Sequence, residues 1–341
     1  MRAVTVLGAG GWGTALAIHV ARLGTPARLW ARNAGHVERL RQDRCNRVYL
    51  PDVLFPSDLL PTASLEEALE GSQCIVSAVP SHVTRQVIRQ VAPLLRTGVI
   101  FVSAAKGIEG GTLNRMSEII TQEARSPQRV VVLSGPSFAF ELAREKTTAV
   151  VVASLDPEAA EAVQAGFRSS ALRLYVSGDV TGVEMGGAMK NVIAIAAGVV
   201  EGLGLGSNAM AALITRGLAE ISRLACAMGG RRETLAGLSG LGDLILTCTG
   251  GLSRNRQVGI ELGRGRPVNE ILAGMRTVAE GVRTTAAALE LGQRLRVELP
   301  IVTQMADVLA GRIEVRVAVD ALMLRRQRAE TDGEFEATQP L

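Results

Sequence analysis

Residues 3–23 read AVTVLGAGGWGTALAIHVARL, and this stretch decides the fold of the amino-terminal half. A short β-rich run leads directly into Gly8-Ala9-Gly10-Gly11-Trp12-Gly13, and a helical pattern follows. Glycines at positions 8, 10 and 13 permit a tight turn and let the backbone approach a pyrophosphate, which then lies at the helix N-terminus. The glycine spacing alone is weak evidence. Here a strand precedes the glycine motif, a helix follows it, and a second strand comes at the spacing of a βαβ unit. In this context the motif predicts dinucleotide binding through Gly8, Gly10, Gly11 and Gly13.

The pattern continues outward from this stretch. Seven β-rich runs alternate with amphipathic helical stretches as far as residue 176: AVTVL, ARLW, QCIVSAV, VIFVSA, RVVVLSG, TAVVVAS and ALRLYV. Strands that alternate with helices predict an α/β domain with a mostly parallel, doubly wound sheet. After Asp179, a candidate helix N-cap, the chain changes to long helical segments without a convincing strand.

We therefore predict a Rossmann-type domain over residues 1–178 and an all-helical domain over residues 179–325. Residues 326–341 lack apolar periodicity, so we predict a disordered tail there.

Composition excludes several classes of protein. With 341 residues, 47% apolar and 21% charged, the chain is long enough for two globular cores. The four cysteines have neither CxxC pairing nor ligand-like spacing, which argues against a disulfide framework or a zinc site and favours a reducing cytoplasm. The first strand begins almost at Met1, which leaves no room for a signal peptide.

Membrane and nucleic-acid functions are also disfavoured. The longest apolar stretch, residues 192–200, is about half the roughly 20 residues that cross a bilayer, so we expect a buried helix there. The net charge of +4 is modest, and the arginines are scattered without aromatic interleaving. A mild positive excess suits an anionic small-molecule substrate.

The end of the second strand bears on the cofactor. An NAD-specific site usually places an acid there for the ribose 2′-hydroxyl, but this chain reads Leu29-Trp30-Ala31-Arg32-Asn33. Arg32 could pair with a 2′-phosphate, which favours NADP or use of both NADP and NAD; alternatively, Arg32 is a solvated residue at a helix start. Flavin sites generally need the same acid, so nicotinamide is the better choice.

Proton-carrying side chains are scarce in the second half. All three histidines lie in the first quarter of the chain, and only three of the 37 basic residues are lysine: Lys106, Lys146 and Lys190. Arginine is never deprotonated in a protein, so a rare lysine is a candidate proton carrier, although an arginine-biased composition also leaves a few lysines at random. Lys190 lies among glycines and alanines, where burial would lower its pKa toward the range useful for proton transfer.

Polar residues farther along could assist such a lysine. Asp243 and Thr247 are four residues apart, on one face if the segment is helical. A glycine turn precedes Ser253-Arg254-Asn255, where a helix start and a bidentate Arg254 could hold a phosphate. Each of these residues also has an ordinary structural explanation. Asp243 could cap a helix and Thr247 could be a core hydroxyl, while Ser253 could be an N-cap with Arg254 solvated.

As a set, these residues resemble the bacterial NAD(P)-dependent glycerol-3-phosphate dehydrogenases. The similarity runs in order through both predicted domains to about residue 320, in GAGGWGTALA, WAR, VSAAKGIE, LSGPSFA, GVEMGGAMKNVIAIAAGVVEGLGLGSNAMAALITRG, GLSGLGDLILTCTGGLSRNRQVG and VAEGVRT. The resemblance implies reversible hydride transfer between NAD(P)H and dihydroxyacetone phosphate, giving sn-glycerol 3-phosphate for phospholipid synthesis. It requires no metal, and it allows a homodimer.

Roles carried over from the resemblance fall on matching positions. Lys190 would be the proton donor and acceptor at C2, Lys106 would bind substrate and polarise its oxygen, and Asp243 and Thr247 would complete the polar cluster. The implied substrate contacts are Gly135, Ser137, Ser253, Arg254 and Asn255. The implied cofactor contacts are Trp12, Arg32, Lys106, Ala139, Arg254, Val278 and Glu280. The family commonly has serine where this chain has Gly11; a backbone N–H can still meet the pyrophosphate, but a hydroxyl contact is lost.

Two alternatives remain at this stage. One is a related two-domain dehydrogenase that acts on a hydroxy acid such as 3-hydroxyisobutyrate or 6-phosphogluconate. The other is a non-catalytic NAD(P)-sensing protein, against which the complete set of Lys190, Asp243, Thr247 and Arg254 argues.

Overall fold

The structure is a computed structural model that describes residues 1–124, 129–275, 279–327 and 330. Its strands are β1 Val4–Leu7, β2 Ala27–Trp30, β3 Cys45–Asn46, β4 Leu50–Leu54, β5 Leu59–Thr62, β6 Cys74–Ser77, β7 Ile100–Ser103, β8 Arg129–Ser134, β9 Thr148–Ala153 and β10 Leu172–Ser177.

The helices of the first half are α1 Gly11–Arg22, α2 Ala34–Asp43, α3 Leu65–Leu69, α4 Thr84–Val91, α5 Met116–Glu123, α6 Ala139–Ala143 and α7 Pro157–Phe167. Those of the second half are α8 Val180–Gly202, α9 Gly206–Ala227, α10 Arg232–Leu235, α11 Asp243–Thr249, α12 Arg254–Gly263, α13 Val268–Ala273, α14 Glu280–Leu295, α15 Pro300–Leu309 and α16 Val315–Met323. A π-helical turn, Leu238–Gly242, leads into α11.

Eight strands form one sheet in the order β10-β9-β8-β7-β6-β1-β2-β5, and β3 and β4 form a separate two-stranded sheet. Neighbours in the large sheet are parallel except β8 and β9, which are antiparallel. The chain leaves β1 toward β2 on one side and returns to β6 on the other. The crevice at the carboxyl ends of β1 and β6 is therefore the topological switch point, where open α/β sheets bind their ligands.

The predicted α/β class and all seven predicted strands are confirmed. The central strands are buried on both faces, since every residue of β1, β6 and β7 is buried, whereas the edge strand β10 alternates between buried and exposed residues. The sequence analysis missed β3, β4 and β5. Prolines interrupt this region, LPDVLFPSDLLPT, and β5 contains Pro61 on the outer edge of the sheet, where a missing N–H does not break a ladder.

Helices α9, α11, α12 and α14 pack around α8, which forms the centre of the second half. Asp179 caps α8 as predicted, because its Oδ1 accepts a hydrogen bond from Gly182 N at 2.8 Å. Gly198 of α8 and Gly259 of α12 face each other so closely that an added Cβ at either would overlap a backbone carbonyl oxygen of the opposite helix, that of Arg256 or of Ile195. No strand follows β10 within the part of the chain that the structure describes.

Helix α8 is longer than its apolar stretch suggested. Its 23 residues are long enough to cross a membrane, and an 18-residue stretch within the helix has a mean hydropathy of 1.4, which is apolar enough for a membrane span. That stretch is, however, 100% buried within the protein. The expected buried helix is thus confirmed, and the short apolar stretch understated its length. Most of the predicted tail, 326–341, lies outside the described residues.

Candidate active site and cofactor crevice

Two lysines and one acid form a buried polar cluster. Lys106, on the loop after β7, donates from Nζ to Oδ2 of Asp243 at 2.6 Å. Lys190, in the middle of α8, donates to Oδ1 of the same carboxylate. Asp243 is fully buried and Lys190 is 7% exposed. With both lysines protonated the cluster carries one more positive than negative charge, which suits an anionic substrate.

Each lysine has further partners. Lys190 Nζ lies 2.7 Å from Thr247 Oγ1, and Thr247 itself donates to the Asp243 carbonyl oxygen at 2.6 Å, one turn earlier in α11. Lys106 Nζ donates to Gly135 O at 2.9 Å and lies 3.4 Å from Ser137 Oγ. An ammonium has three N–H donors. Asp243 and Thr247 therefore leave Lys190 one N–H for a ligand.

Burial changes the proton chemistry of Lys190. Desolvation lowers its pKa from 10.5 to about 7, the positive charge of Lys106 lowers it as well, and the carboxylate of Asp243 opposes both effects. A group that titrates near neutral pH can both donate and accept a proton at the working pH. Lys190 thus has the pKa that acid–base chemistry requires.

The glycine-rich loop after β1 forms the cofactor crevice. Gly8 has φ +108°, and an added Cβ there would lie 2.9 Å from the Ala78 carbonyl oxygen, while one at Gly13 would overlap the carbonyl oxygen of Gly8. Gly10 is different, since no described atom lies within 4 Å of the position of its missing Cβ. Gly10 is also the N-cap of α1, and no side chain among the described residues caps it. The loop therefore leaves free N–H groups and open space for a pyrophosphate.

Other residues border this crevice. Ala139, the first residue of α6, would lie 3.6 Å from a Cβ added at Gly11. Trp12 Nε1 is buried without a hydrogen-bond partner among the described residues. Glu280, the first residue of α14, accepts hydrogen bonds from Ser81 N at 3.1 Å and Ser81 Oγ at 2.5 Å, which brings it to the end of β6. These features fit a dinucleotide that lies across the loop toward Lys106.

Comparisons with known proteins agree with this geometry. Residues 3–160 match the family model described as NAD-dependent glycerol-3-phosphate dehydrogenase N-terminus, and residues 179–320 match the model of its C-terminus. The chain belongs to the NAD-dependent glycerol-3-phosphate dehydrogenase family.

Individual members of the family are similar over nearly their whole length. The glycerol-3-phosphate dehydrogenase [NAD(P)+] of Syntrophotalea carbinolica is 51% identical, over 96% of this chain and 99% of the relative. That of Geobacter sulfurreducens is also 51% identical, over 96% and 98%. Among solved structures, the glycerol-3-phosphate dehydrogenase of Coxiella burnetii has a TM-score of 0.92 and 38% identity, and the match covers 95% of this chain and 99% of that one.

The membership decides between the alternatives that the sequence left open. This chain is a member of an NAD(P)-dependent oxidoreductase family, and its resemblance to glycerol-3-phosphate dehydrogenases is confirmed over both halves. Its Gly11 also has a local explanation: an added Cβ would lie only 3.0 Å from the Tyr49 carbonyl oxygen. The serine common in the dehydrogenase family would require Tyr49 to shift.

The structure brings most of the predicted substrate residues toward the cluster, but it engages two of them elsewhere. Ser253 caps α12 through a hydrogen bond from Arg256 N at 3.2 Å. The Asn255 amide donates to Asn191 Oδ1 at 3.0 Å and accepts from Gly281 N at 2.9 Å, so it joins α8, α12 and α14. Arg254 is exposed as a residue and makes no ion pair or hydrogen bond among the described residues, but burial of its guanidinium lowers its pKa and the nearby Glu280 carboxylate opposes that shift.

Arg32 follows β2 and is exposed. Val278 lies outside the described residues. The sequence analysis did not single out Ser81, Asn191 or Glu184, whose roles depend on contacts between distant parts of the chain: Ser81 and Glu184 contact the other half, and Asn191 contacts another helix of the second half. Only Glu184 carried a sequence signal, as the one acidic residue among the apolar and glycine residues that precede Lys190.

Proposed function

We propose that this chain catalyses the reversible reduction of dihydroxyacetone phosphate to sn-glycerol 3-phosphate, with NAD(P)H as the reductant, and supplies glycerophospholipid synthesis. The observation that carries the proposal is the Lys106–Asp243–Lys190 cluster between the carboxyl ends of the central strands and α8. The names of the relatives support the same reaction.

The mechanism assigns a task to each side chain. The glycine-rich loop, Trp12, Ala139 and Glu280 would hold a nicotinamide cofactor, which would supply the hydride for C2 of the ketone. Lys106, held by Asp243 and Gly135, stabilises the negative charge that develops on the C2 oxygen. Lys190 then gives that oxygen a proton from Nζ, and in the oxidation direction neutral Lys190 takes it back.

Asp243 and Thr247 orient Lys190 and do not themselves exchange protons with substrate. Their contacts with Nζ hold the ammonium at one point of a buried helix, where an unpaired charge would be costly. Arg254 and the N-terminus of α12 hold the substrate phosphate, because an unpaired guanidinium and free backbone N–H groups both favour an anion. Ser137 lies beside Lys106 at the same end of the site.

The reaction can be tested by loss of NADPH or NADH absorbance when dihydroxyacetone phosphate is added to purified protein. Dihydroxyacetone is the control, since it offers the same ketone without the phosphate. We expect oxidation that requires the phosphate. If both cofactors bind and neither is oxidised, the proposed substrate is wrong.

The cofactor preference is part of the proposal. An exposed arginine at the end of β2, where an NAD-specific site usually has an acid, supports pairing with a 2′-phosphate, so we expect NADPH to be preferred over NADH and Arg32→Leu to reduce that preference. An unchanged preference in Arg32→Leu would assign Arg32 to the solvated surface.

We also propose the domain division at residue 178, with dinucleotide binding in 1–178 and substrate binding in 179–325. The end of β10 at Ser177 and the start of α8 at Val180 support it. A cytoplasmic location fits the four free cysteines, of which Cys45, Cys74 and Cys248 are buried. The homodimer stays a prediction, which light scattering on the purified protein would test.

A further inference from the structure

A second buried acid lies on α8, and the mechanism does not use it. Glu184 is 8% exposed. Its carboxylate accepts hydrogen bonds from Ser117 N at 2.8 Å and from Ser117 Oγ at 2.6 Å, and it pairs with the Arg115 guanidinium at 3.0 Å. Burial raises the pKa of Glu184, while Arg115 and Ser117 oppose that shift. A buried ion pair contributes little to stability by itself, so its geometric effect is of more interest.

Of the two partners of Glu184, Arg115 ends the piece of chain that carries Lys106, and Ser117 follows it in α5. Residues 104–115, the Lys106 segment, run from the end of β7 to the start of α5. The segment folds back on itself, because Ile108 and Arg115 form an antiparallel bridge and Glu109 N donates to Asn114 O at 3.0 Å. An anchor at Arg115 therefore limits the movement of the whole Lys106 segment.

Lys106 crosses α8 between Glu184 and Lys190. A Cβ added at Gly187 would lie 3.5 Å from Cγ of Lys106, which is van der Waals contact distance, so the lysine stem passes directly beside this glycine. Glu184, Gly187 and Lys190 are three residues apart and follow one another along one side of the helix. The acid that holds Arg115, the glycine beside the Lys106 stem and the proposed proton carrier thus all lie within seven residues of the same helix, α8.

We propose that Glu184 is a positioning residue: by holding Arg115 and Ser117 it keeps Lys106 against Asp243 and keeps water away from Lys190. The inference rests on the proposed function for its kinetic consequences, but its structural consequence can be measured without substrate. The charged and titratable groups that face Lys190 are Asp243 of α11, Lys106 and the Cys248 thiol. Only Lys106 among them is held through Glu184.

The sign of the expected effect follows from these contacts. In Glu184→Gln the amide cannot balance Arg115, which still pairs with Glu118 at 2.8 Å. The Lys106 segment then loosens, so both influences that lower the Lys190 pKa, burial and the Lys106 charge, weaken. The Lys190 pKa should therefore rise. A direct electrostatic effect has the opposite sign, because loss of a negative charge disfavours the ammonium.

The chain offers a direct readout, since it has only three lysines. Protein labelled with ¹³C at lysine Cε gives three signals by NMR, and Lys146→Arg removes the signal of exposed Lys146. We expect Glu184→Gln to raise the Lys190 pKa by about one unit or more. We expect kcat to fall about tenfold or more, as for a misplaced catalytic group, with the cofactor KM unchanged.

Glu118→Gln is the matched control, because it makes the same chemical change at the other partner of Arg115 and leaves Glu184 in place. Glu118 also contacts Arg115, but the buried carboxylate of Glu184 still holds Arg115 and Ser117 in this variant, so the Lys190 titration and kcat should change much less than in Glu184→Gln. Should Glu184→Gln fail to fold, Ser117→Ala removes one hydroxyl from the same carboxylate and should shift the titration less, in the same direction.

A lower melting temperature with an unchanged Lys190 titration would make Glu184 a purely structural residue and overturn the proposal. A downward shift of the pKa would also overturn it, in favour of direct electrostatics. If the unmodified protein does not oxidise NADPH with dihydroxyacetone phosphate, the proposed function fails, while the titration still decides the role of Glu184.

Discussion

Lys106 and Lys190 contact opposite oxygens of a single carboxylate, that of Asp243. The first lysine follows a strand of the sheet and the second lies on the central helix of the second half, so one buried acid joins the two halves of the site. Because Asp243 compensates only one of the two charges, the site keeps a positive charge for an anionic substrate. The same arrangement makes the proton affinity of Lys190 depend on the position of Lys106.

Replacing the proton carrier should stop turnover and leave cofactor binding intact. We expect Lys190→Met to lower kcat by about 100-fold or more, since a positioned general acid contributes about 10²–10⁴-fold. NADPH affinity, measured by fluorescence titration, should be unchanged because the glycine-rich loop is not affected. Lys146→Met is the control, since Lys146 is exposed and distant in sequence from the cluster. Normal turnover in Lys190→Met would remove Lys190 from the mechanism.

The two directions of the reaction should depend on pH in opposite ways. Reduction needs protonated Lys190, so its kcat/KM should fall as pH rises above about 7, the pKa of that group in the free protein. Oxidation of glycerol 3-phosphate needs neutral Lys190, so its kcat/KM should rise through the same range. Initial rates between pH 5.5 and 9 would be compared in both directions. Parallel profiles would contradict the assignment of Lys190 as both donor and acceptor.

The proposed phosphate contact can be separated from the chemistry. In Arg254→Leu we expect the KM for dihydroxyacetone phosphate to rise about tenfold or more, because a hydrogen bond to a charged group contributes about 1.5–3 kcal/mol. The kcat/KM for dihydroxyacetone, which lacks the phosphate, should hardly change. Arg264→Leu, at the other end of α12, removes an exposed arginine paired with Glu261 and should leave both substrates unaffected. Equal losses with both substrates would assign Arg254 to something other than the phosphate.

Two glycines of the same loop should respond differently to alanine. Gly13→Ala places a Cβ onto the carbonyl oxygen of Gly8, so we expect a loss of about 1–3 kcal/mol in the free energy of unfolding. Gly10 has φ −74° and open space at its Cβ position. The Gly10→Ala variant should therefore have the same free energy of unfolding as the unmodified protein. It should instead weaken NADPH binding, because the methyl group occupies space left for the pyrophosphate. Calorimetry and fluorescence titration would measure the two effects, and undiminished binding in Gly10→Ala would place the pyrophosphate elsewhere.

The elements that were predicted correctly carry their signal in neighbouring residues. Strands such as β1, β6 and β7 are continuous apolar runs, and Asp179 caps the helix that begins directly after it. β5 was missed because Pro61 argues against a strand, and only its place at the sheet edge makes that proline acceptable. A local pattern cannot say which strand will lie at an edge.

Some features of the candidate site could likewise be predicted from neighbouring residues, and others could not. Rarity and apolar surroundings drew attention to Lys190, and spacing placed Asp243 and Thr247 on one helical face, which α11 bears out. The contact of Lys106 with Asp243 joins residues 137 positions apart, and that of Ser81 with Glu280 joins residues 199 apart. No periodicity in the sequence encodes such pairs.

The fold class could be predicted from the sequence alone, and the glycine-rich loop and the candidate proton carrier could be singled out there, since each depends on residues close together in the chain. That two lysines contact one acid, that the Asn255 amide is engaged between helices and that Glu184 pairs with Arg115 became evident only in the tertiary structure. The physical reason is that pKa values and hydrogen-bond partners depend on burial and on charges a few ångströms away, and packing of the two halves sets both.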